Sequence, residues 1–73
     1  MSALDDRLLN AHAAGDIRAL AALYEQVADA QTETEAAAFF LTHAYVHALE
    51  AGLPAAARLR QRLIDMRREV PQA

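Results

Sequence analysis

The fold class is decided by residues 33–54, which read ETEAAAFFLTHAYVHALEAGLP. Alanine, leucine and glutamate are among the residues that lose least on entering a helix, and the apolar residues recur at helical spacing. Gly52 and Pro54 mark the stop of one helix and the start of the next. This stretch therefore predicts a long helix over residues 33–51, followed by a tight connection.

This third helix is apolar around most of its circumference. One face carries the larger share of the apolar residues: Ala37, Leu41, Ala44, Tyr45, Ala48 and Leu49. The other apolar residues point largely elsewhere: Ala36, Phe39, Val46 and, beside them, Phe40. A helix of this kind is usually surrounded, so we expect it to be the central element or to meet another molecule.

Helix-start and helix-stop residues divide the chain before this stretch. Ser2, three residues before Asp5, begins a first helix over residues 3–14. Gly15 suits the left-handed conformation that ends a helix, and Asp16 N-caps a second helix. The first helix has a weak apolar stripe at Leu4, Leu8 and Ala11, with Leu9 and His12 beside it. The second has the cleanest amphipathic face in the chain, formed by Ile17, Leu20, Ala21, Tyr24, Val27 and Ala28.

The remaining helix-start and helix-stop residues complete the set of helices. Thr32 or Thr34 is predicted to cap the third helix. A fourth helix is predicted over residues 54–69 and closes at Pro71. Its apolar stripe comprises Ala56, Leu59, Leu63, Met66 and Val70. The sequence therefore predicts one all-α domain over residues 1–73, with four antiparallel helices paired as two helix-turn-helix hairpins.

Composition excludes several classes of protein. The chain has 73 residues, a mass of 8.0 kDa and no cysteine, so disulfides and cysteine-ligated zinc or iron–sulfur sites are excluded. A net charge of −3 without any lysine argues against a nucleic-acid binder. No secretory leader or bilayer-spanning run is visible. We expect a cytoplasmic protein without a cofactor, of the kind that GC-rich bacterial genomes encode.

Acidic and basic residues are distributed unevenly along the chain. Residues 1–53 hold two Arg against eight Asp and Glu, whereas residues 54–73 hold five Arg against two acidic residues. The arginine run comprises Arg58, Arg60, Arg62, Arg67 and Arg68. A solvated helix face is the simplest interpretation. The alternatives are docking onto an acidic surface, such as the N-terminal half of a second copy, and nucleic-acid binding without aromatic residues to stack on bases.

The two tight connections form a repeat. Gly15 and Gly52 each follow an alanine and lie 37 positions apart, close to the length of solenoid repeats. With Tyr24 at the large aromatic position of the second helix and Ala57 at a small-residue position, the chain resembles a tetratricopeptide-repeat (TPR) pair of helical hairpins. It departs from the family pattern at Leu4, Leu8, Leu20, Leu41, Tyr45, Gln61 and Pro71.

This resemblance implies a right-handed superhelical scaffold that binds proteins or peptides and carries no catalytic residues. Repeat arrays generally need about three units to be stable alone. Two hairpins therefore point to self-association or to a small closed bundle.

One pattern matches metal-ligand spacing. His43, His47 and Glu50 stand at positions i, i+4 and i+7 of the third helix and share a face, as zinc or nickel ligands would. A zincin needs a glutamate directly after the first histidine, where this chain has Ala44. Two half-exposed histidines on an interface helix are the simpler interpretation, so we assign no metal site. His12 adds a ligand only if the first helix crosses nearby.

The paired carboxylates lie at predicted helix starts, where the helix dipole accounts for them. The sequence contains no nucleophile motif. It therefore gives no sign of an enzyme. Phe40 and Tyr45 are expected in the core, while Phe39 and Val46 favour a contact surface. We therefore expect a protein–protein interaction module. The alternatives are a structural homodimer joined through the third helix and a metal-binding helical module. The candidate interface residues are Phe39, Phe40, His43, Val46, His47 and Glu50.

Overall fold

The computed structural model describes residues 2–69 and shows an all-helical protein over that range. The helices are α1 (Ala3–Ala14), α2 (Ile17–Asp29), α3 (Thr34–Glu50) and α4 (Ala55–Glu69). No β-strand occurs in the described part of the chain. The prediction of four helices is confirmed, whereas the predictions for Val70 and Pro71 lie outside the described residues.

Side-chain caps begin the first two helices as predicted. The Ser2 hydroxyl oxygen accepts a hydrogen bond from the backbone N–H of Asp5 at 3.1 Å. A carboxylate oxygen of Asp16 accepts one from the N–H of Ala19, also at 3.1 Å. Each cap satisfies a donor that the first turn of a helix leaves unpaired.

One turn geometry closes both α1 and α3. Gly15 and Gly52 each adopt a φ of 65°, in the left-handed region that glycine occupies without a Cβ penalty. The N–H of Asp16 donates to the carbonyl of Ala11 at 3.0 Å. The N–H of Leu53 donates to the carbonyl of Ala48 at 2.9 Å, so the same Schellman-type closure recurs.

The start of α3 differs from the prediction. Glu33 is the N-cap residue and makes no side-chain cap bond, so the prediction that Thr32 or Thr34 caps this helix is wrong. Thr34 is already the first helical residue. Packing against α2 and α4 supplies the stability that a cap would otherwise add, as it does for most helices in proteins. Pro54 lies in the turn before α4 rather than inside the helix.

The core is built where α2 and α3 meet, which is the most extensive contact between helices. Alanine lines it, and the small side chains let the two backbones approach closely. Ala44 and Ala48 have no exposed surface, and Leu59 of α4 is 1% exposed. The buried members of this cluster are Ala21, Ala28, Leu41, Ala44, Ala48 and Leu59.

A second cluster attaches α1 to α2. Ala11 packs there with Leu20 and Leu23, and Leu4 and Leu8 contact them from α1. Leu23 is buried although it lies off the apolar face predicted for α2. The physical reason is that α2 packs against α3 on one side and α1 on another, so two of its sides are covered.

Helix contacts follow chain order. Within the described residues, Cα atoms of different helices approach within 8 Å only for α1 with α2, α2 with α3, and α3 with α4. The first and last helices do not meet, so these residues do not form a closed ring of helices. The protein measures 40 × 30 × 13 Å. It is therefore flat, with a short dimension about one third of the longest.

Replacing Ala44 by leucine should destabilise the fold by about 1–3 kcal/mol, because the new side chain has no space between α2 and α3. Leucine is nearly as good a helix former as alanine, so the loss reports packing. Urea unfolding followed by circular dichroism measures it. Ala13→Leu is the matched control at an exposed position of α1 and should change stability by less than about 0.5 kcal/mol. Equal losses in the two variants would contradict the close packing of Ala44.

Candidate functional site

The helix α3 has apolar residues on two nearly opposite faces. Leu41, Ala44 and Ala48 face the core and are at most 1% exposed. On the other side, Phe39 is 58%, Val46 43% and Leu49 53% exposed. Thr42 lies between them and is also exposed. We call Phe39, Thr42, Val46 and Leu49 the outer seam.

The sequence predicted exposure for only two of the four residues of the outer seam. Phe39 and Val46 are exposed, whereas Leu49, which the sequence pattern grouped on one face with Leu41 and Ala44, is exposed instead of sharing their burial. Leu49 follows Val46 by three positions and Thr42 by seven, so it lies on the side of the seam. The spacing of these four residues is visible in the sequence. It identifies an exposed face only once the structure shows that one side of α3 is uncovered.

Phe40 and Tyr45 pack against the core cluster and are partly buried. Their predicted core position is confirmed. Phe40 therefore does not lie on the outer seam, although it was among the candidate interface residues. Glu50 is exposed, one residue beyond Leu49.

All three histidines of the chain gather around one tyrosine. Tyr24 stacks on His43 and His47, with ring centroids 5.2 and 5.5 Å apart. A hydrogen bond of 2.8 Å joins the Tyr24 Oη and the His12 Nε2. The first helix therefore contacts the tyrosine on which the two histidines of α3 stack, while α1 and α3 themselves do not meet within the described residues. His12 and Tyr24 come from different helices, so no local spacing signalled their contact.

This histidine–aromatic cluster reaches the outer seam through Phe39. The edge of the Phe39 ring meets His43 with centroids 4.7 Å apart, and it meets Phe40 at 5.3 Å. The Nδ1–H of His47 donates to the carbonyl oxygen of His43 at 2.7 Å. These contacts fix the rings beside the seam, so the exposed phenylalanine is held by its neighbours rather than projecting alone.

The ligand set His43, His47 and Glu50 is not assembled as a metal site. Among residues 2–69, no group of three or more His, Asp or Glu side chains is placed so that it can hold one ion. The two histidines of the set instead stack on Tyr24. The geometry thus gives the metal-binding alternative no support.

An ion cluster joins α2 to α4. Arg58 forms a two-pronged contact with Glu25, whose Oε1 accepts from Nη2 at 2.9 Å. Arg62 donates to Glu25 at 2.7 Å and to Asp29 at 2.8 Å. The hydrogen bonds from Arg58, more than those from Arg62, hold the pKa of Glu25 below its ordinary value, against the opposing effect of partial burial.

This cluster corrects the interpretation of the arginine run. Arg58, Arg60 and Arg67 are exposed, as a solvated face requires. Arg58 and Arg62 are not free, because their acidic partners lie on α2 of the same chain. The charge asymmetry of the sequence is thus partly neutralised within the molecule. The side chain of Arg68 lies outside the described part of the structure.

Two grooves border α2, and neither is lined by the histidines. One, of about 330 Å³, lies between α1 and α2 with Arg7, Asn10 and Asp16 among its lining residues. The other, of about 100 Å³, lies beside the ion cluster. In the range 2–69 no helix is both long and apolar enough to cross a membrane.

Comparison of the chain with protein-family models, with curated proteins and with solved structures finds no match.

Replacing Arg62 by glutamine should lower the free energy of unfolding by about 1 kcal/mol, because Glu25 and Asp29 each lose a charged donor while partly exposed to solvent. Thermal unfolding at low ionic strength measures the change. Arg60→Gln removes the same charge from an exposed position of the same helix and should alter stability by less than about 0.5 kcal/mol. An equal effect of both variants would mean that net charge, not the ion cluster, sets the result.

Acid should weaken the protein through Glu25. Because its pKa is lowered in the fold, the ion cluster contributes fully above the ordinary pKa of 4.5 and is lost as the pH falls below that value. Stability measured between pH 7 and pH 3 should therefore decline more steeply in the native sequence than in Glu25→Gln, which cannot ionise there. Parallel pH profiles for the two proteins would rule out this contribution.

Proposed function

We propose that this chain is a small non-catalytic protein-interaction module that binds a helix of its partner along the outer seam. A single observation carries the proposal. Phe39, Val46 and Leu49 are each between 43% and 58% exposed on one face of a helix that is otherwise packed. Contiguous apolar surface bordered by polar groups marks interaction sites in small proteins.

The spacing of the seam favours a helical partner. Its four residues follow one another at intervals of three, four and three positions. This is the a/d spacing by which one helix offers a continuous apolar edge to another. Phe39 is the aromatic residue of the seam, and aromatic residues supply a large share of binding energy at interfaces. We therefore expect Phe39 to be the main anchor.

A TPR-like scaffold suits this role. We propose that α1 with α2, and α3 with α4, form two antiparallel hairpins that stack as successive repeats. Recurrence of the same glycine-closed turn after α1 and α3, and contact between helices in chain order, support this arrangement. In such a stack, α3 would be the first helix of the second repeat.

Two further observations support binding rather than catalysis or nucleic-acid recognition. The histidines lie in a stacked ring cluster and line neither of the two grooves described above. Arg58 and Arg62, whose charge would otherwise be open to phosphates, are bound to Glu25 and Asp29. A basic face of the kind that binds nucleic acid is correspondingly reduced.

Photo-cross-linking in the cells that produce the protein tests the proposal. A photoreactive benzoylphenylalanine in place of Phe39 should attach to a partner protein, because that side chain would lie inside the interface. The adducts are counted by gel shift and identified by mass spectrometry. The matched control carries the same group in place of Leu9, which is 59% exposed on α1 and outside the seam.

We expect discrete adducts from position 39 and only diffuse background from position 9. The adducts from position 39 should disappear when Leu49→Asp is added, since this change places a charge on the seam without entering the core. Equal labelling from both positions, or none from position 39, would overturn the proposed function.

A further inference from the structure

The outer seam also indicates which partner it fits. We propose that the partner is a second copy of this chain, and that two α3 helices pair antiparallel along their outer seams, about a two-fold axis that crosses the seam at the level of Ala44 along the helix. This inference rests on the proposed function and names the partner of the same surface.

The residues of the outer seam are spaced symmetrically about its centre. Phe39 stands five positions before Ala44, and Leu49 stands five positions after it. Thr42 and Val46 stand two positions before and after. An antiparallel pair with its axis at Ala44 therefore brings each Phe39 against the partner's Leu49, and each Thr42 against the partner's Val46. Two-fold interfaces require this kind of self-complementary patch.

The matched residues also agree in shape. Thr42 and Val46 are both β-branched and nearly equal in volume, while Phe39 and Leu49 are the two large residues at the ends of the seam. The pair would therefore have two wide Phe–Leu layers at its ends and two narrower Thr–Val layers in the middle, arranged symmetrically about the axis. The antiparallel sense also places the two helix dipoles in their favourable relative orientation.

Thr42 does not obstruct burial of the seam. Its hydroxyl group donates to the carbonyl oxygen of Ala38 at 2.8 Å, one turn earlier in the same helix. A buried hydroxyl without a partner would cost about 1–3 kcal/mol, but this donor is already satisfied. The seam therefore needs no polar partner across the interface.

Size and charge set the expected strength of the pair. The seam extends over about 15 Å of helix, so the area it buries is below the roughly 800 Å² per partner of a standard interface. Each copy carries a net charge of −3, and Glu35 and Glu50 stand at the two ends of the seam. We expect a weak dimer that tightens as salt screens this repulsion.

Solution mass measured by light scattering during size-exclusion chromatography tests self-pairing of the full chain. Between about 10 µM and about 1 mM, the mass should rise from 8.0 kDa toward twice that value. The rise should begin at lower protein concentration in about 1 M salt, where the Debye length is about 3 Å. Phe39→Asp should remain monomeric, while Leu9→Asp, an equally exposed site on α1, should pair like the native chain.

Cysteine trapping tests the antiparallel register, and the native chain has no cysteine to interfere. A chain carrying Phe39→Cys is mixed with a chain carrying Leu49→Cys and then oxidised. Antiparallel pairing predicts disulfides mainly between position 39 of one chain and position 49 of the other. Two copies of position 39 would lie about 15 Å apart along the helices, too far for a bond that needs Cα atoms within about 7 Å.

The outcomes separate this inference from the proposed function. A majority of disulfides joining like positions overturns the antiparallel pair. A monomer throughout the concentration series also overturns it, and the proposed function then stands if benzoylphenylalanine at position 39 captures a different protein. If position 39 captures nothing in the cell and the chain stays monomeric, both proposals fail. Circular dichroism of Phe39→Asp matching the native spectrum confirms that the variant reports on pairing rather than on folding.

Discussion

Close contact between alanine-lined faces of α2 and α3 is the interaction on which the rest of the structure depends. Ala28, Ala44 and Ala48 are at most 3% exposed, so the two backbones approach within a distance that larger side chains would prevent. This contact provides the platform for the other two helices. α1 adds to α2 through its own small cluster, and α4 adds to α3 through Leu59. Each addition buries one side of a helix and leaves others open.

A consequence of this arrangement is that α3 is both the centre of the core and part of the surface. The helices α2 and α4 both pack on its core face without direct backbone contact, and the long side chains of Arg58 and Arg62 reach Glu25 across the gap between them. No helix among the described residues lies over the opposite face. The outer seam is therefore apolar surface that α2 and α4 leave uncovered, and it comprises more than one exposed phenylalanine.

Local features could be predicted because their causes are local. Ser2 and Asp16 cap helices through bonds to residues three positions away, and Gly15 and Gly52 end helices through their own backbone freedom. Long-range features could not. The contact between Glu25 and Arg58 joins residues 33 positions apart, and the meeting of His12 with Tyr24 requires a particular crossing of two helices. The site was predicted in part, since Phe39 and Val46 are exposed as expected but Leu49 was grouped with residues that the structure buries.

The sequence by itself determined that this chain is all-helical and where its helices lie, to within a residue or so. It also showed that the third helix has more apolar residues than one face can hold. These properties follow from helix propensity, from capping chemistry and from period, which act over a few residues. Only the tertiary structure decided which apolar face of α3 is covered and which remains open. The sequence favoured one face by its larger share of apolar residues but grouped Leu49 with it, and the limits of the covered face are set by where α2 and α4 pack.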